Sequence, residues 1–328
     1  MSSIIQLKNS LNKIYSQFAV YINPLLKFIL ALIVFFIINS KMGYMEKITG
    51  GSIVLLVALF CSFMPMAFMA LLEGIFILAH LYALSMEMAI VAAAVLFMMF
   101  ILFLRFTPKE GVVVLLMPIF FILKIPYLLP IIVGLVGTPI SVISIAFGVI
   151  VTYMINFATN NAEALTSGAD ENMMNRIRFV VDGLIANKAM IAIIVAFSVV
   201  LVVVYFIRKL KLNFSWTIAV IIGSFVNLIL MFAVWTVAHI DLSLVGILFG
   251  TIFSLLLGLL VVFFIHNLDY RRVENHQFED DEYYYYVKAV PKMGVYSSSK
   301  RKTSSKSSSG SSNGTRVVKT SNGTRRNV

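Results

Sequence analysis

The sequence predicts an all-α polytopic membrane protein, and three observations carry that prediction. Hydrophobic residues make up 60% of the 328 positions and charged residues only 12%, with a mean hydropathy of +0.95. A soluble domain has too little polar surface to enclose such a chain. Apolar runs of about 20 residues, the length at which a helix spans a bilayer core, recur with short polar stretches between them. Two longer apolar blocks, 51–106 and 111–156, are each broken by proline. The expected architecture is about six full crossings plus two proline-broken re-entrant hairpins in an inverted repeat, with a disordered basic C-terminal tail.

Residues 1–21 read as an amphipathic helix. Ile4, Leu7, Leu11, Ile14, Tyr15 and Phe18 recur at helical spacing, with Lys8, Asn9, Asn12, Lys13 and Gln17 on the other face. Such a helix suits the cytoplasmic membrane surface or a packed extension of the first crossing. No small-x-small cleavage site follows the first apolar run, so the segment reads as a retained anchor. The transmembrane domain is placed at 22–265. Its first crossing is 22–39, closed by the polar stretch 40–47.

Each interrupted block then has the same order. In the first, the short run 53–64 ends at Pro65, 66–82 continues, and a full-length run follows Ser85. In the second, 112–123 is interrupted by Lys124, Pro126 and Pro130, 131–137 resumes, and a longer run follows Pro139. Gly51-Ser-Ile-Val-Leu-Leu aligns with Gly111-Val-Val-Val-Leu-Leu, which brings Pro65 near Pro126. A helix of about a dozen residues reaches only about 18 Å. Each short piece is therefore expected to dip in and return, with a tip buried in protein or facing a water-filled cavity, because lipid cannot satisfy its backbone. The competing reading is a long tilted helix kinked at proline.

Charge orients the chain. Arg208, Lys209, Lys211 and the basic tail belong in the cytoplasm by the positive-inside rule. This places 105–110 inside, 40–47 and 160–187 outside, and both termini in the cytoplasm. With no eukaryotic targeting signal, a bacterial cytoplasmic membrane is the expected setting. Within 160–187, Asp170 can cap an amphipathic helix whose apolar face is Met173, Met174, Ile177, Val180, Val181, Leu184 and Ile185.

Ionisable groups inside apolar runs are costly and mark candidate sites. Glu73, His80 and Glu87 are spaced by seven, so one continuous helix would carry them on one face as a proton relay. Ser85, however, reads as an N-cap, which puts Glu87 in the first turn of the next helix. Lys124 sits between two apolar pieces. A deep tip would pair it with Glu73, and a shallow one would let it snorkel. Pro65 and Pro126 mark the two tips of the candidate transport site. Asn227 suits an interhelical hydrogen bond. The single cysteine, Cys61, reads as a buried hydrophobe.

The cytoplasmic tail, 266–328, begins with an acidic segment, Glu279-Asp-Asp-Glu282, running into Tyr283, Tyr284, Tyr285 and Tyr286. Its strand propensity suits docking to the edge of a cytosolic partner's sheet. From Val287 onward there is no acidic residue. Lys300, Arg301, Lys302 and Lys306 head a Ser-rich basic stretch expected to stay disordered and contact anionic inner-leaflet lipid. Nucleic acid is disfavoured because few aromatics interleave the charges. No catalytic, metal or nucleotide motif appears, so neither an enzyme nor a cofactor is expected. Two functions follow: a membrane scaffold or envelope-assembly subunit recruiting partners through the tail, and a secondary transporter or permease for a small solute or ion with its site at the hairpin tips.

Overall fold

The computed structural model describes residues 2–167, 173–238, 244–265 and 274–289, with the side chains of 2–9, 11–13, 167, 237, 238 and 275 excepted. The chain divides into a helical unit, 1–267, and a C-terminal unit, 268–328. It is an all-α polytopic membrane protein. Among the described residues, seven helices are long and apolar enough to cross a membrane. Large apolar side chains such as Phe36, Phe97, Phe225 and Phe249 cover their outer faces, a surface that water would not tolerate and lipid requires.

The first helix, α1 (Ser2–Lys41), runs through the expected junction at residue 21 and breaks instead at Phe18, whose φ/ψ of −112°/16° are not helical. A short turn, α2 (Glu46–Thr49), leads into α3 (Gly51–Phe63). Helix α3 pairs antiparallel with α1. Asn39 Nδ2 of α1 donates to the Ile48 carbonyl just before α3 starts, while Ser62 Oγ and Lys27 Nζ join the other ends, donating to the Pro24 and Met64 carbonyls at 2.9 Å each. The face of the bundle holding Lys41 is called upper here, and that holding Lys27 lower.

Every later helix can be placed by such contacts. Helix α4 (Met66–Leu84) starts at the lower face, with Pro65 in extended backbone as its N-cap, and rises until His80 meets Asn39 and Met45. Helix α5 (Met86–Phe106) descends from the Ser85 cap. A 3-10 turn, Pro108–Glu110, precedes α6 (Gly111–Ile122), and a Cβ on Gly111 would lie 2.4 Å from the Met66 carbonyl oxygen, so α6 also starts at the lower face. It rises 12 residues and turns at Lys124, and α7 (Leu128–Val136) goes back down. After a 3-10 turn, Pro139–Ser141, α8 (Val142–Asn160) rises fully. Helices α9 (Ala162–Ser167) and α10 (Met173–Leu184) lie at the upper face. Then α11 (Lys188–Arg208) descends, α12 (Ser215–Ala238) rises and α13 (Leu244–Ile265) descends. Asp170, His239, Asp241 and the basic stretch from Lys300 to Lys306 lie outside the described residues.

The two interrupted blocks therefore differ from each other. In the first, α3 lies along the stretch of α1 from Pro24 to Asn39, and its break at Met64 and Pro65 falls at the lower face. In the second, both limbs begin and end at the lower face, and their tip at Lys124 reaches the level of Lys41 and Asn156, with which it lines one cavity. Three clusters of buried side chains fix these positions: Phe35, Ile77, Met88, Phe103 and Phe147 in α1, α4, α5 and α8; Tyr127, Val149 and Phe197 in the hairpin, α8 and α11; and Ile131, Val204, Val220 and Val262 in α7, α11, α12 and α13.

Helix α10 is seated on the upper ends of α5 and α8. Val180 and Leu184 are buried, while Met173, Met174 and Ile185 of its expected apolar face are exposed. Arg176 pairs with Glu87 at 3.3 Å and donates to the Leu165 carbonyl at 2.6 Å.

In the C-terminal unit, β1 (Glu274–Glu279) and β2 (Tyr284–Ala289) form an antiparallel hairpin with Phe278 opposite Tyr285 and Gln277 opposite Tyr286. Of the acidic segment, Glu279 ends β1 opposite Tyr284, and Asp280, Asp281 and Glu282 fall in the turn rather than in a lead-in. Asp280 Oδ1 accepts from the Glu282 and Tyr283 amides at 3.0 and 2.7 Å.

Gly51 and Gly111, aligned in sequence, have opposite surroundings: a Cβ on Gly51 would meet nothing within 4 Å. Gly51→Ala is expected to leave stability within about 0.5 kcal/mol of the parent, and Gly111→Ala to cost about 1–3 kcal/mol by forcing α6 off α4. Thermal unfolding of the two purified variants checks the contrast.

Candidate functional site

The tip of the α6–α7 hairpin is built by local backbone chemistry. Leu123 ends α6, Lys124 takes the left-handed conformation at φ 59°, Lys124 N–H donates to the Phe121 carbonyl at 3.1 Å and Ile125 N–H to the Phe120 carbonyl at 2.9 Å. This is the six-to-one, five-to-two pattern of a Schellman motif, in which the left-handed residue is usually glycine. Pro126 follows, as it does where a helix must not continue. A lysine at that position bears the Cβ strain of the left-handed region. Its presence where glycine would relax the backbone points to a use for its side chain.

The base of the hairpin is bound at the lower face. Ser141 Oγ donates to Glu110 Oε1 at 2.6 Å, the Thr138 amide donates to Ser141 Oγ at 3.0 Å, and Ser144 Oγ donates to Thr107 Oγ1 at 2.8 Å. The last carbonyls of α7 are held by Arg208, whose guanidinium donates to the Leu135 carbonyl and, at 2.6 Å, to that of Gly137. The same guanidinium stacks on Tyr205 at 5.1 Å. A cation at a helix C-terminus complements the dipole there and satisfies carbonyls that have no intrahelical partner.

Above the tip lies a cavity of about 650 Å³, open at the upper face. Lys124, Pro126 and Tyr127 form its floor, with Tyr153 and Asn156 from α8, Ile193 and Phe197 from α11, Met231 from α12 and Ile247 from α13 around them. Asn160, Asn161 and Asn187 stand toward its mouth. Lys124 lines this cavity together with Asn156, 14 positions above Val142 and four below the upper end of α8, which puts the tip about 21 Å above the lower face and about 6 Å short of the top of that helix. A second, smaller cavity of about 260 Å³ reaches Lys124 and Asn156 from the α1 side, where Lys41 joins its lining.

The other sequence candidates stand apart from this cavity. Glu73 is 1% exposed on α4, seven residues from both Met66 and His80, and neither carboxylate oxygen has a hydrogen-bond partner. Lys124 therefore does not pair with it. His80 uses both ring nitrogens: Nε2 lies 2.8 Å from Asn39 Oδ1 and Nδ1 accepts from the Met45 amide at 3.2 Å, tying the α1–α2 turn to α4. This arrangement corresponds to the neutral tautomer with the proton on Nε2. Glu87 begins a separate helix, accepting from Ser85 Oγ at 2.6 Å and pairing with Arg176. Ser85 caps α5 by accepting from the Met88 amide, so Glu73, His80 and Glu87 do not share one continuous helix. Pro65 lies at the lower face and Pro126 at the tip. Cys61 is buried.

Tyr283, Tyr284, Tyr285 and Tyr286 are all exposed on the C-terminal hairpin. Sequence reading missed Arg208 as a latch and the asparagines of the cavity. The second had a visible signal, since Asn156, Asn160 and Asn161 interrupt an otherwise apolar helix end at helical spacing. No protein-family model, curated protein or solved structure matches the chain.

Two outcomes are expected. Arg208→Gln should loosen α7 at about 2 kcal/mol, the scale of a lost hydrogen bond to a charged group, and Arg208→Lys should recover only part because an ammonium cannot fork to two carbonyls; unfolding midpoints measure both. In the C-terminal hairpin, the amides of Glu282 and then Tyr283 hold the Asp280 carboxyl below the usual aspartate range. Its contribution to the turn is thus present above the ordinary aspartate value and lost as pH falls through the depressed one. Amide resonances of 274–289 in the full chain should show that loss, and Asp280→Asn should abolish the pH step.

Proposed function

We propose that the protein moves a small hydrophilic solute across the membrane, and that the solute is taken into the asparagine-lined cavity with its electronegative end at Lys124. The observation that supports this best is the hairpin tip itself, a broken helix with a strained lysine on the floor of an open cavity. Non-helical backbone at depth is tolerated where it lines a water-filled space, and broken helices near mid-membrane are where carriers bind their solutes. In this reading α6 and α7 form a re-entrant hairpin entering from the cytoplasmic side.

Arg105, Lys109, Arg208, Lys209 and Lys211 flank the lower ends of the helices. The positive-inside rule then makes that face cytoplasmic and opens the cavity to the outside, with both termini in the cytoplasm of a bacterial cell. The inverted-repeat idea keeps one support. Helices α3, α4 and α5 run down, up and down, while α6, α7 and α8 run up, down and up, each set starting at the aligned glycine. The two sets differ in their middle limb, which has 19 residues in α4 and nine in α7.

A second reading, the scaffold that recruits a cytosolic protein, is favoured by the exposed aromatic hairpin β1–β2. Among the described residues its two strands pair only with each other, leaving edges to which a partner strand could add.

Proteoliposome flux of small anions, measured on the native chain, on Lys124→Gly and on a chain shortened to 1–273, separates the two. Glycine relaxes the left-handed tip, so Lys124→Gly should fold at least as well as the parent. It should nevertheless lose flux by about tenfold or more, the worth of one charge-assisted contact, while the shortened chain keeps its flux. No flux in the native chain, or flux untouched by Lys124→Gly, sinks the transport reading; loss of cellular function only on shortening then favours the scaffold.

A further inference from the structure

Beneath the cavity floor, α12 and α13 bring together polar side chains that the fold does not need for its own hydrogen bonding. Ser224 and Asn227 on α12, and Thr251 and Ser254 on α13, are each 5% exposed or less. Asn227 Nδ2 approaches Thr251 Oγ1 at 3.5 Å. Ser224 Oγ, Asn227 Oδ1 and Ser254 Oγ have no hydrogen-bond partner. Serine in a membrane helix commonly returns its hydroxyl to the carbonyl four residues back, as Ser198 does to Ile194 at 2.6 Å. Ser224 and Ser254 do not.

Their placement converges. A Cβ on Gly250 would meet the Lys124 carbonyl at 2.8 Å, and one on Gly258 would meet Val220 at 2.9 Å. Ser254 is one turn from each glycine and so shares that face of α13. Ser224 is one turn above Val220, and Asn227 one turn below Met231, which lines the cavity. The unpartnered oxygens thus lie between α12 and α13 on the side facing the hairpin, about 6 Å below the cavity floor.

We propose that these oxygens form a binding site for a sodium-sized monovalent cation. With Asn227 Nδ2 directed to Thr251, the free atom of the amide is its carbonyl oxygen, which only accepts. An anion would face that oxygen unfavourably. The remaining donors are hydroxyls, hard neutral oxygens of the kind that take up alkali cations. The cluster contains no carboxylate, the ligand on which calcium and magnesium sites rely. The site does not rest on the solute assigned to the cavity above it, since it can be occupied whether or not Lys124 binds anything.

The test uses the purified full chain in detergent, with thermal unfolding in sodium, potassium and choline chloride at matched ionic strength and ²²Na⁺ binding as a direct readout. The expected result is a saturable rise of the midpoint in sodium over choline by a few degrees, together with stoichiometric ²²Na⁺ binding. Both should be lost in Ser254→Ala and in Asn227→Leu, and both retained in Lys124→Gly. Ser224→Ala, the gentlest change, keeps the comparison open should either of the others fail to fold. Equal midpoints in sodium and choline without ²²Na⁺ binding, or binding that survives the substitutions, would overturn the site and leave the oxygens to an ordinary buried water.

Discussion

Lipid offers no partner to an amide or a carbonyl, and that constraint decides where this chain can break its helices. Each interruption is closed by a neighbour's side chain or by the chain itself. Met64 receives Lys27, Leu135 and Gly137 receive Arg208, the α8 start is held through Ser141, Glu110, Ser144 and Thr107, and the Lys124 turn closes on Phe120 and Phe121. Without these closures α7, only nine residues long, would be too short to persist as a helix on its own propensity.

The same closures separate structure from function among the charged groups. Lys27, His80, Glu87, Arg176 and Arg208 all meet named partners and hold elements in place. Lys124 meets the open cavity. Glu73 meets neither, a carboxyl at mid-height in an apolar surround, which is a costly arrangement for an ionised group.

Composition and periodicity make much of this architecture legible. The long helices α4, α5, α8, α11 and α12 fall close to the apolar runs, and the breaks at Pro65, Ser85 and Lys124 fall where proline, serine and lysine interrupt them. Depth is not legible, because hydropathy reports how apolar a segment is and not which neighbour it lies beside. Residues 51–63 and 111–122 look alike in sequence, yet the first is held along the Pro24–Asn39 stretch of α1 and the second ends in a Schellman turn whose return limb, α7, is gripped by a residue more than 70 positions away. The tyrosine strand was legible. Its partner, the unremarkable segment 274–279, was not, because a polar strand carries little β signal of its own.

The separation in sequence between the hairpin and its neighbours bears on how the chain is made. Gly250, which packs on the Lys124 carbonyl, is synthesised 126 residues after it, and Arg208 is 73 residues beyond Leu135. During translation α6 and α7 must wait in the bilayer without latch or back wall. A turn whose Leu123, Lys124, Ile125, Leu128 and Leu129 amides are all bonded within residues 119–129 can wait with little backbone exposed, whereas a tip built on long-range contacts could not. Assembly of this protein is therefore ordered from its C-terminal side: the last helices to emerge are the ones that complete the cavity.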